Sequence, residues 1–414
     1  MSNHKTPSIR FKGFTDDWEQ RKLGDVVSVY DGVHQTPDYK DNGIMFLSVE
    51  NIATLRSEKY ISEEAFKRDY KIYPQKGDIL MTRIGDVGTP NVVETSEKVA
   101  FYVSLALLKP SCIDSYFLCN AIQSPLFQKG LKDRTLVTAI PQKINKDEIG
   151  KVDLILPVST EEQTAIGEYF KNLDHLITLH QRKYEKLVNV KKSMLDKMFP
   201  KNDFKVPEIR FKGFTDDWEQ RKVSDLLELL TDYDANGSFA DMARNVNTTD
   251  GTGYAWYVRM TDLENPKPLS ELKYVDEASY KFLKKTELHG GELLMAKRGN
   301  IGKAYIFEPR TPYATVAPNM YLLKLNDKVI PHFLYNYFIS SKGNNQLVSL
   351  NASSTMGALY KDDVKNINVI MPSIEEQQKI GEYFSHLDNL ITLHQRELEK
   401  LQNLKKSLLN SMFI

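Results

Sequence analysis

Residues 125–146 combine side chains that can bind a polyanion with side chains that can hydrogen-bond to the edges of DNA bases. Five basic residues stand against one acid, Asp133, so the formal charge is five minus one, or +4. The candidate binding residues are Lys129, Lys132, Arg134, Thr138, Gln142 and Lys143. Lys and Arg bind phosphate or guanine, and Gln binds adenine. We expect a loop that contacts DNA; the alternative is a flexible polar loop without a ligand.

The matching stretch later in the chain, residues 344–355, has a different chemistry. It is neutral and rich in amides and hydroxyls, and its candidate binding residues are Asn351, Ser354 and Thr355. Asn can bond adenine through two hydrogen bonds, whereas Ser and Thr accept several partners. Different side chains on equivalent loops would select different bases.

Two pairs of glycines, Gly85 with Gly88 and Gly299 with Gly302, follow short apolar segments. The spacing GxxG is a weak signal, and the phosphate-binding sequence GxxxxGK[ST] does not occur in the chain. We interpret the glycines as tight turns that present basic side chains. These are Arg83, Lys297 and Arg298, and Arg259 is a further DNA-binding candidate. The alternative is that these cations only solvate the surface.

Sequence patterns typical of catalysis are missing. The chain contains no HExxH, paired CxxC, GxSxG or Asn/Asp-Pro-Pro-aromatic sequence, and its eight histidines are scattered. Two cysteines, Cys112 and Cys119, do not make a disulfide framework and fit a reducing cytoplasm. We therefore predict no catalytic residue, no metal site and no cofactor on this chain.

The composition limits the class of protein. The 414 residues suit two or three domains, and Lys plus Arg equal Asp plus Glu at 55 each, which argues against binding through net charge alone. No apolar run approaches the roughly 18 residues of a membrane span, and the polar segment Met1–Arg10 does not resemble a secretory signal. We expect a cytoplasmic protein with no membrane partner.

Two segments of the chain occur twice. Residues 9–22 read IRFKGFTDDWEQRK and recur unchanged at 209–222; we name this the FKGF motif. Residues 161–199 and 375–413 align at an offset of 214, with 27 of 39 residues identical. The regions between share only a skeleton, in which we predict strands at 79–81, 106–108, 152–156, 293–295, 321–323 and 367–371, and helices at 116–122 and 332–339. The alternation indicates a common framework that holds two different domains.

The second repeat has a heptad pattern of apolar residues at spacings of four and three. The principal seam positions are Ile166, Phe170, Leu173, Ile177 and Leu187, and in the second copy Ile380, Phe384, Leu387, Ile391 and Leu401. A helix of 39 residues would be roughly 58 Å long and needs a partner to cover this seam. We predict antiparallel pairing of the two copies, with one variable domain at each end and a pseudo-twofold axis between them.

Several residues of the repeats have two interpretations. His180 and His394 lie on the seam, where we interpret them as a packed histidine pair rather than a metal or pH site. Lys191 and Lys405 would set the register of the helices or extend towards solvent. Trp18 and Trp218, in the FKGF motif, are either docking anchors for a partner or plugs in a domain core.

Together, the doubled FKGFTDDWEQRK, the Gly-acid turn before an apolar strand, the exit strand ending in Pro and EEQxxIGEYFxxLDxLITLHQR resemble specificity subunits of type I restriction-modification systems. The resemblance covers essentially the whole chain. It implies a non-catalytic α/β protein: two mixed α/β target-recognition domains joined by two long antiparallel helices that form a coiled coil, with an internal pseudo-twofold repeat. The predicted boundaries are 1–157 and 201–372 for the domains, and 158–200 and 373–414 for the scaffold helices.

The resemblance also implies partners. Each domain would read one half of a split target in double-stranded DNA, and the helices would act as a molecular ruler. Two methyltransferase subunits and the restriction subunits would assemble on the scaffold. S-adenosylmethionine, ATP and Mg would bind those partners and not this chain. Two alternatives stay open at this point: a coiled-coil adaptor with two ligand-binding domains and no DNA, and a self-sufficient nuclease or methyltransferase.

Overall fold

A computed structural model describes residues 6–201, 204–353 and 358–414, and divides the chain into two compact units. Unit 1 comprises the chain up to Arg182 together with Gln395–Ile414, and unit 2 comprises Lys183–His394. Unit 1 is therefore built from two segments that are distant in the sequence, whereas unit 2 is continuous.

The first strand of unit 1 lies in the FKGF motif. In the part of the chain that the structure describes, the strands of unit 1 are β1 (Glu19–Lys22), β2 (Val27–Asp31), β3 (Ile44–Leu47), β4 (Tyr60–Ile61), β5 (Ile79–Thr82), β6 (Pro90–Val92), β7 (Val99–Phe101), β8 (Leu105–Pro110) and β9 (Asp153–Leu156). Its helices are α1 (Leu23–Val26), α2 (Glu63–Asp69), α3 (Ser115–Gln123), α4 (Pro125–Arg134), α5 (Lys146–Gly150) and the start of α6 (Thr160–Lys197).

These strands form an antiparallel sheet of order β2-β8-β5-β6, a sheet β4-β3-β7 in which β3 and β7 are parallel, and the antiparallel pair β1-β9. The strands predicted at 79–81 and 106–108 and the helix predicted at 116–122 are confirmed. The predicted loop over 125–146 is wrong for its first ten residues, which form α4. Ser124 caps this helix and Pro125 occupies its first turn, both common helix-start signals.

Unit 2 repeats this plan with additions. Its strands, in the described residues, are β10 (Glu219–Lys222), β11 (Leu227–Asp232), β12 (Thr248–Asp250), β13 (Ala255–Val258), β14 (Lys273–Val275), β15 (Glu287–Leu288), β16 (Leu293–Ala296), β17 (Ala304–Ile306), β18 (Ala314–Val316), β19 (Met320–Leu325) and β20 (Asn368–Met371). Its helices are α7 (Phe239–Asn245), α8 (Met260–Glu264), α9 (Glu277–Phe282), α10 (Pro331–Ile339), α11 (Ser341–Ser353), α12 (Lys361–Asn366) and the first half of α13 (Ile374–Ser411), together with the end of α6.

The sheets of unit 2 have the orders β11-β19-β16-β17 and β12-β14-β13-β18-β15, beside the antiparallel pair β10-β20. The first order matches β2-β8-β5-β6 of unit 1 strand for strand. The strands predicted at 293–295, 321–323 and 367–371 and the helix at 332–339 are confirmed. The predicted loop over 344–355 is wrong as far as Ser353, because these residues continue α11.

The two long helices, α6 and α13, bury the seam that the heptad pattern predicts. In α6 the side chains of Ile166, Phe170 and Leu173 are buried, and those of Ile177 and Leu187 are half-buried. The second copy repeats this: Ile380, Phe384 and Leu387 are buried, while Ile391 and Leu401 are half-buried. Two helices cover each other on one side only, so partial burial is expected for the later positions.

Contacts within each unit show that the helices run antiparallel. In unit 1 the ring centroids of Phe170 and Phe413 are 5.7 Å apart, and Asp174 lies 2.7 Å from Lys405. Residues further along α6 therefore contact residues nearer the start of α13. Unit 2 shows the same order, because Phe199 contacts Phe384, with ring centroids 6.2 Å apart, and Lys191 contacts Asp388. The prediction of antiparallel helices is confirmed.

The end of each long helix fills the core of a domain. Phe413 packs on Trp18 and Phe117 in unit 1, with ring centroids 6.4 and 5.5 Å away. Phe199 makes the equivalent contacts with Trp218 in unit 2. Both tryptophans are only 1% exposed, so they are plugs in a domain core, and the alternative of a docking anchor is wrong. None of the helices in the described residues has the length and apolarity needed to cross a membrane.

Candidate nucleic-acid interface

A buried ion pair ties each FKGF motif to the start of a long helix. The guanidinium of Arg10 donates two hydrogen bonds to the carboxylate of Glu162, at 2.6 and 2.7 Å. Arg210 donates the equivalent pair to Glu376 at 2.7 and 2.8 Å. Both glutamates are 1% exposed. The hydrogen bonds to the carboxylate raise the pKa of each arginine above its usual value. The doubled motifs thus serve to position each domain.

The glutamine that follows each buried glutamate fixes the domain from a second side. The backbone N–H of Asp114, before α3, donates to Gln163 at 3.1 Å, and Gln163 donates to the carbonyl of Pro157 at 3.0 Å. Gln377 accepts from the backbone of Ile330 and donates to Pro372, both at 3.0 Å. In both units, the EEQ sequence therefore connects the long helix to the strand before it and to the rest of the domain in the same way.

The glycine of the IGEYF sequence permits a close approach. A Cβ atom at Gly167 would lie 2.4 Å from the carboxylate of Asp114 and 2.8 Å from the backbone nitrogen of Phe117. Only a residue without a side chain lets α6 pack this closely on the start of α3. The repeat thus encodes the angle at which the helix meets the domain.

The β5–β6 turn, residues 83–89, lies against α4 at the candidate surface of unit 1. Gly85 and Gly88 have positive φ angles of 82° and 96°, which confirms the prediction of tight turns. A Cβ atom on Gly88 would come within 2.7 Å of the buried side chain of Leu131. In unit 2, Gly302 makes the equivalent approach to Leu347. The same turn therefore supports α4 in one unit and α11 in the other.

The loop after α4, residues 135–145, is fastened to this turn at both ends. The backbone N–H of Gly85 donates to the carbonyl of Gln142 at 2.8 Å, and the Gln142 side chain donates back to Gly85 at 3.0 Å. Leu136 donates to the carbonyl of Lys143 at 2.8 Å, and the Ile144 side chain is fully buried. The loop is thus held by its stem, while its outer residues face solvent.

Five of the predicted binding residues are exposed on α4 and this loop; we name them the basic surface of unit 1. They are Lys129, Lys132, Thr138, Gln142 and Lys143. Arg134 is half-buried, 3.8 Å from the carboxylate of Glu148. Five of the seven residues predicted in unit 1 are therefore exposed on one short segment, and their contact with DNA stays a prediction.

Arg83 differs from its expected position. It is 5% exposed, forms an ion pair with Asp31 and donates to the carbonyl of Ile144 at 3.0 Å. The turn therefore does not present this cation to solvent. Because the guanidinium joins β2, β5 and the end of the loop, its role in this structure is to hold the basic surface of unit 1 in place.

Two predicted cations of unit 2 are also engaged within the domain. Lys297 lies 2.8 Å from Asp232 and 2.6 Å from Asp234, and Arg259 makes an ion pair with the buried Asp262 at 2.7 Å. Burial alone would raise the pKa of Asp232, but its bonds to Lys297 and Lys361 outweigh burial and lower the pKa. Arg298, by contrast, is exposed beside the turn.

The candidates at the end of α11 lie at the limit of the described residues or beyond it. The backbone of Asn351 lies in the last turn of the helix, and its side chain is outside the described part of the chain. Ser354 and Thr355 also lie outside the described residues. Earlier in the helix, Asn345 and Ser349 are exposed. The side chain of Gln346, in contrast, donates a hydrogen bond of 2.9 Å to the carbonyl of Asn368 and so holds the helix on the domain.

A cluster around Glu264 holds the β16–β17 turn of unit 2 and was missed by the sequence reasoning. Its carboxylate accepts from Lys303 at 2.8 Å, from Asn300 at 2.7 Å and from Tyr305 at 2.9 Å. These bonds lower the pKa of Glu264 to about 2. The partners are about 40 residues away in the sequence, so no local pattern indicates them.

Comparisons with known proteins agree with this duplicated architecture. The family model of the type I restriction modification DNA specificity domain matches residues 15–189 and again 215–403. A type I restriction enzyme MjaVIII specificity subunit of Methanocaldococcus jannaschii is 22% identical over 414 residues, covering 95% of this chain and 92% of that protein.

A solved structure supports the same fold. The crystal structure of a type I restriction-modification system S subunit from M. genitalium aligns with a TM-score of 0.66 at 14% identity and covers 99% of both chains. The alternative of an adaptor that does not bind DNA receives no support from these comparisons. The chain therefore belongs to the family of type I restriction-modification DNA specificity domains, and it is a non-catalytic DNA-recognition subunit of such a system.

Proposed function

We propose that this subunit reads a bipartite target in double-stranded DNA, with one half read by each unit. The observation that carries the proposal is the contrast between framework and surface. The contacts of Arg10 with Glu162 recur in Arg210 with Glu376, bond for bond. The residues exposed beside the turns differ, because α4 carries lysines where α11 carries amides and hydroxyls. One framework would thus hold two readers of different specificity.

Within each unit, positive charge would position the DNA and polar side chains would select bases. Lys129 and Lys132 on α4 are suited to phosphate, while Thr138, Gln142 and Lys143 on the adjoining loop can reach base edges in the major groove. In unit 2 we assign base contact to Arg298, Asn351, Ser354 and Thr355. Arg83, Lys297 and Arg259 would act indirectly, by holding these surfaces.

The long helices would set the distance between the two half-sites. Each contains 38 residues, so it is about 57 Å long. A fixed protein separation translates into a fixed half-site spacing on duplex DNA. This ruler function is supported by the continuous helices and by the buried seam positions within each unit.

Two methyltransferase subunits are the proposed partners of the scaffold, and restriction subunits would join them. The helices keep large apolar side chains exposed away from the seam: Tyr169, Leu176, Leu179, Val188, Leu393 and Leu404. Exposed apolar groups arranged along two related helices suit a protein interface. S-adenosylmethionine, ATP and Mg would be bound by these partners.

A domain exchange tests the proposal. Residues 23–150 lie between the paired strands β1 and β9, so they can be replaced by the equivalent segment of another specificity subunit without breaking the framework. Sequencing of adenine methylation in cells that also express the methyltransferase subunit should then show one half of the target changed and the other half retained. Exchange of 223–365 is the matched control and should change the opposite half. An unchanged methylation map in both cases rejects the proposal.

A second experiment tests the ruler. One heptad inserted at equivalent places in α6 and α13 adds about 10 Å, which corresponds to about three base pairs. We expect a longer spacer between two unaltered half-sites in the methylation map. An insertion that leaves the spacer unchanged while methylation continues would contradict the ruler function.

A further inference from the structure

The tip of the loop in unit 1 exposes apolar side chains in the middle of a polar, basic segment. Ile140 is 99% exposed, Val137 is 65% exposed and Leu136 is 45% exposed. We name these three residues the apolar tip. Full exposure of an isoleucine forgoes about 2 kcal/mol that burial would provide. Three exposed apolar residues within five positions of the chain indicate a surface that another molecule covers.

The loop stem holds the apolar tip in a defined place. The backbones of Leu136 and Lys143 pair at the base of the loop, so Leu136 marks the start of the tip, and the stem is fastened to the β5–β6 turn through Gly85 and Gln142. Ile144 anchors the end of the loop in the core of unit 1. A contact residue that is already in place binds without the entropy cost of ordering a free loop.

The surroundings of the apolar tip favour nucleic acid as the molecule that covers it. Lys129, Lys132 and Lys143 are exposed nearby along the chain, and none forms an ion pair with any residue in the described ranges. Thr138, on the same loop, is an exposed polar group able to bond a base edge. An apolar residue between such groups would meet the apolar part of a base edge.

We propose that Ile140 is a specificity residue that packs against the C5-methyl group of a thymine in the half-site read by unit 1. In the major groove the thymine methyl is the apolar group that base edges display, and it distinguishes T·A from the other base pairs. The inference rests on the proposed function and adds a residue and a base to it.

Deoxyuridine substitution tests the contact directly, because it removes only the methyl group. The complex of this subunit with its methyltransferase subunits is titrated with target duplexes in which each thymine is replaced in turn by deoxyuridine. One position in the unit 1 half-site should weaken wild-type binding about fourfold, the equivalent of ~0.8 kcal/mol for one buried methyl. With Ile140→Ala, the thymine and deoxyuridine duplexes should bind equally at that position.

Ile72→Ala is the matched control, since Ile72 is an exposed isoleucine of unit 1 outside this loop. It should keep the full sensitivity to deoxyuridine, and thymines of the other half-site should respond alike in all three proteins. The proposal is overturned if no deoxyuridine weakens the wild type, or if Ile140→Ala retains the wild-type response. It is also overturned if Ile140→Ala impairs assembly with the methyltransferase without changing base discrimination, which would identify the tip as a protein contact.

The two proposals fail separately. If exchange of residues 23–150 leaves the methylated sequence unchanged, the proposed function is wrong. If that exchange alters one half of the target but Ile140→Ala behaves as the wild type, only the assignment of the apolar tip is wrong.

Discussion

In unit 2 the ammonium group of Lys191 lies 2.5 Å from the carboxylate of Asp388, across the pair of long helices. The repeat contains the same pair in the opposite order, because Lys405 lies 2.7 Å from Asp174 in unit 1. Each lysine is the equivalent of the other at the offset of 214, and so is each aspartate. The lysines in the apolar seam thus have a defined partner on the facing helix, as expected of residues that set the register.

Reversal of one of these charges should destabilise only the unit that contains it. Lys405→Glu places a second negative charge beside Asp174, and we expect the free energy of unfolding of unit 1 to fall by about 1 kcal/mol. Combining it with Asp174→Lys restores an attractive pair and should recover most of the loss. Denaturant unfolding at low and high salt measures both effects. A loss that is the same at 1 M salt would contradict an electrostatic origin.

Removal of Arg10 should be far more damaging than removal of an exposed arginine of the same motif. Arg10→Ala leaves the buried carboxylate of Glu162 without its partner, so we expect unit 1 to lose about 3–5 kcal/mol. The control is Arg21→Ala, since Arg21 pairs with Glu19 at the surface and should cost less than about 1 kcal/mol. Equal effects in denaturant titrations would show that the Arg10 pair does not position the domain.

The two glycines of the β5–β6 turn offer a matched comparison. Both have positive φ angles, so alanine at either place introduces strain of about 1–2 kcal/mol. Gly88→Ala also forces a Cβ atom against Leu131, whereas the space around Gly85 is open. We expect Gly88→Ala to displace α4 and weaken methylation at the unit 1 half-site more than Gly85→Ala does. The comparison is made by measuring the methylation rates of the two variants on a defined duplex. Equal rates would contradict the packing argument.

The Glu264 cluster predicts a pH dependence in unit 2. The pKa of the Glu264 carboxyl is lowered from 4.5 to about 2, and the hydrogen bond from Lys303 is the largest cause. The cluster therefore stabilises unit 2 fully above pH 4.5. This stabilisation should be lost as the pH falls from 4.5 towards 2, because protonation removes the acceptor of the three bonds. Thermal unfolding of wild type and Glu264→Gln between pH 2 and 7 measures this. The difference should be constant above pH 4.5 and vanish near pH 2; a pH-independent difference would contradict it.

The ends of the two long helices should have separate effects on the two units. Phe413→Ala opens a cavity among Trp18, Phe117 and Phe170, so unit 1 should lose about 3–5 kcal/mol. Phe199→Ala should do the same to unit 2. Hydrogen exchange followed by mass spectrometry distinguishes them, because each variant should lose protection in one unit. Loss of protection in both units from either substitution would contradict this division.

The repeats made the framework predictable, and distant contacts explain what was missed. The seam of Ile166 and Phe170 follows from a heptad pattern that is local in the sequence. The antiparallel pairing follows from the order of the repeats, because the second helix must start at the second domain and return along the first helix. Arg83 looked available for DNA because its partner Asp31 is 52 residues away. The helix α11 contains Gly343 and several asparagines, which disfavour a helix. It is supported by Leu347 packing under the Gly302 turn, a contact that no local pattern reports.

The charged residues of the exposed surface could be predicted from the sequence, but the position of its apolar residues could not. Lys129 and Lys132 stand out by charge alone, and the structure confirms that they are exposed. Ile140 gave no such signal, because an isoleucine in a sequence is usually read as a core residue. Its position became evident only from the stem that holds the loop away from the core.

The seating of Met412 and Phe413 in the core of unit 1 also determines when that core can close during synthesis. A ribosome that has completed Lys183–His394 has made all of unit 2, but the N-terminal domain still lacks these two residues. Nascent chains usually complete their N-terminal domains first. Here the order is reversed for the final step: unit 1 begins before unit 2 but is completed after it, and a chain truncated before Met412 leaves the core of unit 1 open.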